Sequence, residues 1–228
     1  MWNKAAALWG QNLQPDRRLA GEVQTHLSPS ATKLAARLIL DLDEVTTLQP
    51  SLPGDVARAL AGAAAAIDAA QGPGAKDVVP RVTVNIGVIQ GGLKVNMVPG
   101  TCWFEADIRV PPGLDKDEVM AKIHQILARY PEATVAELNY SVPSICDPNH
   151  EMVGILRANA RALGRPEPAP IVSLSGTDAR LWRQRGIPAL VHGPFPRGMA
   201  QADEHVEIEE YLHIVRMHVL SAFDYLSR

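Results

Sequence analysis

The stretch RGMAQADEHVEIEEY, residues 197–211, groups five carboxylates with one imidazole. Carboxylates and imidazole nitrogens are ligands of divalent metals, and they are also the side chains of general acid–base catalysis. Glu204 and His205 are therefore candidate metal ligands. The alternative is that the glutamates at positions 207–210 form the acidic first turn of a helix, where they are favourable to its dipole.

A second candidate lies in SLSGTDARLW, residues 173–182, which the pattern predicts to run from a strand through a small polar turn into a helix. Backbone N–H groups at a helix start attract anions, and Gly176 permits a close approach. Arg180 offers a bidentate grip on a carboxylate. The alternative is that Thr177 or Asp178 caps the helix and that Arg180 is solvated.

Two further candidates belong to a predicted pair of strands. Asn96 precedes a strand in the loop GGLKVNMVPG, and a turn asparagine is the alternative interpretation. Arg109 lies on the polar face of the next strand, beside Glu105 and Asp107. A cross-strand ion pair explains this arginine without a function.

The rest of the sequence excludes several classes of protein. The histidines form no H-x-x-x-H or H-x-H pair, and no G-x-S-x-G, P-loop or G-x-G-x-x-G motif occurs. A formal charge of −3 argues against nucleic acid as a partner. No apolar run reaches the ~18 residues of a membrane span, and the N-terminus is a poor secretory signal. Cys102 and Cys146 make no zinc or disulfide pattern, so we expect a cytoplasmic protein with reduced cysteines.

The elements that position these residues follow from periodicity. Apolar and polar residues alternate over 82–88 and over 102–110, which predicts two antiparallel strands joined by a short loop. Helical spacing follows Ser28 and recurs after Pro112, a closing strand follows near 133, and a faint strand is predicted at 18–26. The sum is a ferredoxin-like β-α-β-β-α-β unit over 18–143, with a four-stranded antiparallel sheet and two helices on one face.

Two segments stand apart from this unit. Residues 1–17 are interpreted as a remnant or linker, and residues 49–78 as an Ala-rich helical insertion that carries no chemistry. Residues 144–228 alternate helices with two short apolar strands, APIVSL and IPALVHG, and end in a helix with one apolar stripe. This alternation predicts an α/β structure. Two strands are few for an independent α/β domain, so this half is interpreted as the end of a larger sheet.

Several of these sequence patterns occur along the chain in the order in which a known family has them. The runs NIGVIQGGLKVNMVPGTCWFEADIRVP, SGTDARLWRQRGIPALVHGP and DEHVEIEEYL resemble the superfamily of zinc hydrolases that includes acetylornithine deacetylase, succinyl-diaminopimelate desuccinylase, aminoacylase and carboxypeptidase G. The resemblance runs from about residue 18 to the C-terminus. It implies a lid domain, which usually also forms a homodimer, followed by the C-terminal part of an α/β catalytic domain.

The resemblance also implies a chemistry, the hydrolysis of amide bonds in N-acyl amino acids or small peptides by zinc or another divalent metal in the complete enzyme. Asn96 and Arg109 match lid residues that hold the substrate. The G-T-D-x-R motif matches the loop that grips it from the catalytic domain, with Gly176, Thr177, Asp178 and Arg180. A lid histidine that reaches the partner's active site is expected near His26 or, in its place, Glu22.

The sequence departs from the family pattern where the metal would be held. The family's H-x-D motif, bridging Asp and Glu-Glu pair precede the lid, and none of these occurs before it here. Ala200 stands where the last metal-ligating histidine would be, and His205 is the one imidazole close by. We therefore expect that this chain binds no metal, with Glu204 and His205 as weak candidates.

Two hypotheses follow. In the first, the chain is a fragment of a metal-dependent amide hydrolase that lacks the metal-ligand half and is inactive alone. In the second, it is a non-catalytic dimerisation or ligand-binding module derived from that family. Both predict a homodimer through the lid, a small N-acyl amino acid or peptide as ligand, no nucleic acid or membrane partner, and exposed apolar area in the C-terminal half.

Overall fold

A computed structural model of the protein describes residues 10–15, 29–173, 175–198 and 201–227, with the backbone alone for 10–15. Its strands are β1 Gly10–Pro15, β2 Thr83–Gly91, β3 Cys102–Arg109 and β4 Ala133–Asn139. Its helices are α1 Ala31–Asp41, α2 Gly54–Gly62, α3 Ala64–Gln71, α4 Ala75–Val78, α5 Lys116–Leu127, α6 Glu151–Ala162, α7 Ala179–Arg183 and α8 Ile208–Leu226. A short 3-10 helix, Leu42–Thr47, continues α1.

The chain divides into two compact units. Unit 1 comprises Met1–Leu52, Asp77–Pro143 and Leu174–Gly176, and unit 2 comprises Pro53–Lys76, Ser144–Ser173 and Thr177–Arg228. The Ala-rich helices α2 and α3 therefore belong with the C-terminal residues. The sequence-based scheme instead treats them as an insertion in the lid.

The strands of unit 1 form one antiparallel sheet in the order β2-β3-β1-β4. β2 pairs with β3 from Thr83↔Arg109 to Gly91↔Cys102, with a bulge between Ile86 and Val88. β1 pairs with both β3 and β4. The strand predicted at 18–26 lies outside the described residues, and β1 lies before the predicted domain boundary at residue 18.

β3 carries the core of unit 1. Its residues alternate strictly between buried and half-buried, as the sequence pattern predicts for a strand with one apolar face. The buried members are Cys102, Phe104, Ala106, Ile108 and the following Val110. Apolar residues of α1 and α5 pack against this face, namely Ala31, Ala35, Leu38, Val119, Ile123, Ile126 and Leu127.

α5 begins with a helix-capping pattern that is visible in the sequence. The carboxylate of Glu118 accepts a hydrogen bond from the backbone N–H of Asp115, one half of a capping box. On the outer side of the helices, Glu44 pairs with Lys122 at 3.0 Å and with Arg129 at 2.7 Å. These two cations lower the pKa of the Glu44 carboxyl. Together these contacts join α5 and the turn after it to the 3-10 helix.

Unit 2 is built on the pairing of α6 with α8. Val153 and Ile155 of α6 and Ile214 and Met217 of α8 are buried. The buried amide of Asn159 donates a hydrogen bond to the Ser221 hydroxyl at 3.1 Å, which satisfies its polar group inside the pair. Two of the helices that the sequence predicts within 144–228, one near 150–163 and one at the C-terminus, are confirmed as α6 and α8.

The two strands predicted in this half were wrong. The described residues of APIVSL, 169–173, and those of IPALVHG, 187–193, form no strand, although both runs are mostly apolar. A strand requires a neighbour that supplies ladder hydrogen bonds. Here the Val172 carbonyl accepts from the Gln71 side chain at 2.9 Å, and the Ile187 amide donates to Trp182 at the end of α7. These bonds are local or to a side chain, so the runs are extended or irregular segments.

α8 buries a narrow part of its apolar surface. The stripe that the sequence predicts is exposed over its whole length, with Ile208 76%, Phe223 67% and Leu226 80% accessible, and the buried residues Ile214 and Met217 lie outside it. The prediction of exposed apolar area in the C-terminal half is therefore confirmed within unit 2. None of the described helices is long and apolar enough to span a membrane.

Gly113 allows a prediction about unit 1. Its φ is +85°, and a Cβ there would lie 2.4 Å from the backbone oxygen of Ser51, whose amide donates to the Gly113 carbonyl. Gly92 has nearly the same φ, +82°, but its Cβ would meet Pro99 at an ordinary 3.5 Å. We expect Gly113→Ala to lower the free energy of unfolding by about 1–3 kcal/mol more than Gly92→Ala does, because only the first adds a backbone clash to the conformational strain.

Chemical denaturation of both variants measures this difference. The Gly92→Ala control removes the shared cost of placing alanine at positive φ. Equal losses in the two variants would show that the Ser51–Gly113 contact is not tight.

Candidate substrate-binding residues

Arg109 is held on the polar face of the sheet by an aspartate of its own strand. Its Nε and Nη2 atoms each lie 3.3 Å from Oδ2 of Asp107, two positions earlier on β3. Side chains two apart on a strand share a face, so the pair is formed along the strand. The sequence suggests a cross-strand ion pair for this arginine, and the ion pair that the structure describes is with Asp107 of its own strand. The arginine is about 30% exposed and the aspartate 24%.

The second carboxylate oxygen of Asp107 is buried and accepts no hydrogen bond from the residues that the structure describes. A buried acceptor without a donor is uncommon in folded proteins and costs free energy. Asp107 therefore places an unused acceptor directly beside the guanidinium of Arg109.

Asn96 lies at the exposed tip of a turn between β2 and β3. The Met97 amide donates to the Lys94 carbonyl at 3.0 Å, so Asn96 occupies the third position of the turn. Leu93 and Val95 beside it are almost fully exposed, at 93% and 103%. The turn explains why an asparagine is favoured here, and its carboxamide is accessible to a ligand.

The loop from Gly176 to Arg180 closes on itself through Arg180. The backbone N–H of Arg180 donates to the Thr177 carbonyl at 3.2 Å, and its Nη1 atom donates to the same oxygen at 3.4 Å and to Asp178 Oδ1 at 3.3 Å. Asp178 is at the N-cap position of α7, but its side chain caps no backbone N–H. Gly176 is half-buried at the start of this loop.

These contacts correct the alternative drawn from the sequence. Arg180 is 23% exposed, and its carboxylate partner Asp178 is 81% exposed. The arginine is thus partly buried and paired, and neither freely solvated nor next to a capping side chain. An ion pair with so exposed a partner contributes little free energy, so replacing Asp178 by another carboxylate would cost little.

The acidic stretch at 197–211 consists of a loop followed by a helix. Arg197 and His205 form an antiparallel bridge through backbone hydrogen bonds of 2.8 and 3.2 Å. His205 Nδ1 lies 2.8 Å from the Asp203 carbonyl, and Asp203 has φ +62°. The exposed imidazole is therefore engaged with the backbone of its own loop.

α8 begins directly after this loop at Ile208, with Glu209 and Glu210 in its first turn. The interpretation of these glutamates as an acidic helix start is confirmed. Glu207, just before the helix, pairs with Arg197 at 3.3 Å. Three of the five carboxylates that suggest a site in the sequence, Glu207, Glu209 and Glu210, thus serve the loop closure and the helix dipole.

The residues of this loop do not fit a zinc site. A catalytic zinc typically takes three protein ligands, and Glu204 and His205 supply two side chains at most. Across the described residues, which omit Met199 and Ala200, no group of three or more His, Cys, Asp or Glu side chains is placed to hold a metal. His26, the predicted lid histidine, lies outside the described residues.

Arg183, which no motif marks, ties together the segments around α7. Its Nε donates to Ser144 Oγ at 3.0 Å and its Nη1 to the Ala189 carbonyl at 2.8 Å. Burial lowers the pKa of this guanidinium, which still carries its charge at neutral pH. The residue fixes the helix that carries Arg180. Its partners lie 39 and 6 positions away, so sequence spacing does not reveal them.

His192 is a second residue that sequence reasoning missed. Its ring lies 6.0 Å from that of His218 on α8, and the His218 Nε2 atom lies 2.9 Å from the His192 carbonyl. The His192 Nε2 atom is buried and has no hydrogen-bond partner in the part of the chain that the structure describes. Burial lowers the pKa of His192, and the positive charges of His218 and His213 lower it further, whereas Glu210 acts in the opposite direction.

Comparisons with known proteins identify the family of the chain. Over residues 21–135 the sequence matches the family described as the peptidase dimerisation domain, M20_dimer. An acetylornithine deacetylase of Myxococcus xanthus is 33% identical over 135 residues, which are 58% of this chain and 35% of that protein. The chain thus covers about a third of the length of this curated relative.

Two solved structures share the fold of nearly the whole chain. An M20 family metallo-carboxypeptidase of Sulfolobus solfataricus has a TM-score of 0.69 at 14% identity, covering 95% of this chain and 58% of its own. The dipeptidase Dug1p of Saccharomyces cerevisiae has a TM-score of 0.70 at 10% identity, covering 99% of this chain and 57% of its own.

The environment of His192 predicts how stability depends on pH. Because its pKa is lower in the folded than in the unfolded state, the unfolded state binds more protons below about pH 6.5, the ordinary value for histidine. We expect the free energy of unfolding to be constant above that pH and to fall as the pH is lowered through it. Replacing His192 with Asn should flatten this slope by up to one proton.

Denaturant titrations at pH 7.5, 6.5 and 5.5 measure the effect. His124, an exposed histidine on α5, provides the matched control, and His124→Asn should leave the slope as it is. A slope unaffected by His192→Asn would contradict the burial of a neutral imidazole at this position.

Proposed function

Because the chain belongs to the M20 peptidase dimerisation-domain family, we propose that it is the lid and C-terminal part of a metal-dependent amide hydrolase. The observation that carries the proposal is the family match over residues 21–135, which contains the two predicted lid residues Asn96 and Arg109. In this proposal unit 1 is the ferredoxin-like lid. The α6–α8 pair and the loop of Arg180 are the catalytic-domain part.

The substrate class follows from the cations. Arg109 and Arg180 each have an aspartate of the same segment at 3.3 Å. A guanidinium binds a carboxylate in a bidentate manner, so these two arginines suit ligands that carry one. The carboxylate of an N-acyl amino acid or of a small peptide is such a group. Asn96 adds a carboxamide, which can donate to a carbonyl and accept from an amide N–H.

We propose that the chain alone does not hydrolyse such substrates. The sequence lacks the H-x-D motif and the Glu-Glu pair before the lid, and Glu204 and His205 do not form a zinc site. In this proposal the metal and the water that it activates are held by residues outside these 228 positions. These 228 residues then supply binding and orientation of the substrate.

We also propose that unit 1 forms a homodimer through the exposed edge of β2. β2 is an outer strand of the sheet, and its Val88 and Ile89 are exposed apolar residues. An unpaired edge with apolar side chains is a template for pairing with another strand. The alternative function, a non-catalytic dimerisation or ligand-binding module, uses the same edge and the same arginines and differs in having no catalytic partner segment.

The dimer can be tested at this edge. We expect the purified chain to sediment as a dimer and Val88→Lys to sediment as a monomer, since a lysine on an edge strand opposes edge-to-edge pairing. Val88 lies opposite Glu105, so the new ammonium gains a partner within the sheet and the fold is retained. Sedimentation velocity gives the mass, and thermal melting checks the fold.

Leu138→Lys on β4, the other outer strand, is the matched control and should remain dimeric. A monomeric parent chain, or dissociation by both variants alike, would overturn the assignment to β2.

The substrate-gripping role can be tested without turnover. We expect N-acetyl-L-ornithine to shift the methyl signal of Ala179, which lies between Asp178 and Arg180, in an alanine-methyl-labelled chain. Arg180→Ala should weaken the affinity about tenfold or more, because it removes a charge-assisted hydrogen bond. Arg185→Ala, an exposed arginine two residues beyond α7, should leave the affinity unchanged.

The same samples are assayed for free ornithine in the presence of added zinc. No product is expected from the chain alone. Metal-dependent product formation would overturn the proposed inactivity. An affinity unaffected by Arg180→Ala would overturn the role of the loop.

A further inference from the structure

Unit 2 contains a cavity of about 340 Å³ that the proposed function does not use. One side is formed by α2 and the start of α3, and the other by the residues before α6, by α6 itself and by the segment after it. Its charged lining residues are Asp55, Arg58 and Arg157. The remaining lining residues are the polar Asn149 and a set of small or apolar residues, namely Ala59, Gly62, Ala63, Pro148, Ala169 and Pro170.

The cavity carries a net positive charge that the protein does not neutralise. Within the part of the chain that the structure describes, no carboxylate forms an ion pair with Arg58 or Arg157. Asp55 lines the same cavity but lies beyond ion-pair distance of both. Two guanidinium groups and one carboxylate leave one positive charge for a ligand.

The arginines are positioned by other contacts. The Nε atom of Arg157 donates to the Pro168 carbonyl at 3.2 Å, which orients its guanidinium between α6 and the segment that follows. Arg58 lies back along α2 toward Gly54, which has no side chain to obstruct it. Asn149, which also lines the cavity, is fixed through its backbone N–H, which donates to Asp147 Oδ1 at 2.8 Å in an Asx turn.

We propose that this cavity binds a small organic monocarboxylate. Its volume is at the small end of the range for ligand sites, about 300–1,000 Å³, which suits a ligand of few atoms. Fork-shaped guanidinium groups match the planar geometry of a carboxylate, and the alanine and proline walls accommodate a short aliphatic chain. Asp55 opposes a dianion such as phosphate. The proposal is independent of the proposed hydrolase function, because none of its residues belongs to the Arg109 or Arg180 sites.

The methyl groups of Ala59, Ala63 and Ala169 report on this cavity directly. In the alanine-methyl-labelled full chain, titration with sodium propionate should shift these three signals and saturate. Arg58→Ala and Arg157→Ala should each weaken the apparent affinity about tenfold or more. Arg165→Ala, an exposed arginine of the same unit outside the cavity, should leave it unchanged.

Asp55→Asn should change the affinity for propionate in the opposite direction. Removing this negative charge should tighten propionate binding severalfold, an effect that a mere loss of folding cannot produce. Arg58 is exposed, so its variant also tests the site where Arg157→Ala fails to fold.

Three results would overturn the proposal. They are the absence of saturable shifts at the three alanines, equal affinity in the Arg58→Ala and Arg165→Ala chains, and phosphate binding at least as tight as propionate binding with the same dependence on the arginines. Binding at the Ala179 signal alone would support the loop of Arg180 and count against the cavity.

Discussion

The alternation of side chains along β3 is the constraint on which unit 1 depends. One face of this strand supplies the centre of the core, with Phe104 and Ile108 fully buried, and the other face carries Glu105, Asp107 and Arg109. Because the side-chain period is two, a slip of one residue would bury the arginine and expose the phenylalanine. The apolar core therefore fixes where Arg109 points. Asp107, one period earlier on the same face, fixes the direction of the guanidinium.

Unit 2 lacks an equivalent of this strand, and its loops are positioned by polar contacts. Its apolar contacts centre on the α6–α8 pair, while α7 has no buried residue. Arg183 compensates by joining α7 to Ser144 and to the Ala189 carbonyl. A half-buried guanidinium with two fixed acceptors is a directional restraint that an apolar contact does not provide. Arg180, three residues earlier, is thus presented by a short helix that is held at its far end.

The sequence predicts elements well where one side of an element is apolar and the other polar. β2, β3, α1, α5, α6 and α8 follow from periods of 2 and 3.6 residues. The runs APIVSL and IPALVHG show no alternation of apolar and polar residues. Such a run does not reveal whether a neighbouring strand exists with which it could pair. The Ala-rich helices gave no indication of their partner, because alanine favours a helix without specifying which face is buried. Among the candidate residues, the pairing of Arg180 with Asp178 can be predicted because the two are neighbours in the sequence. The roles of Arg183 and His192 cannot, because they depend on residues far away in the sequence.

The environments of Arg109 and Arg180 differ in a way that bears on ligand choice. Arg109 and Arg180 each have an aspartate at 3.3 Å, so a ligand carboxylate must compete with a partner already present. The competition is mild at Asp178, which is largely solvated, and stronger at Asp107, which is mostly buried and would be left with an uncompensated charge. A ligand that approaches Arg109 is therefore best accommodated when it also donates to Asp107, as an amide N–H does. At Arg180 the solvated aspartate leaves the guanidinium open to exchange with another carboxylate. Taken each within its own unit, the two arginines therefore differ in what they favour: Arg109 favours a group that also donates a hydrogen bond, and Arg180 a carboxylate alone.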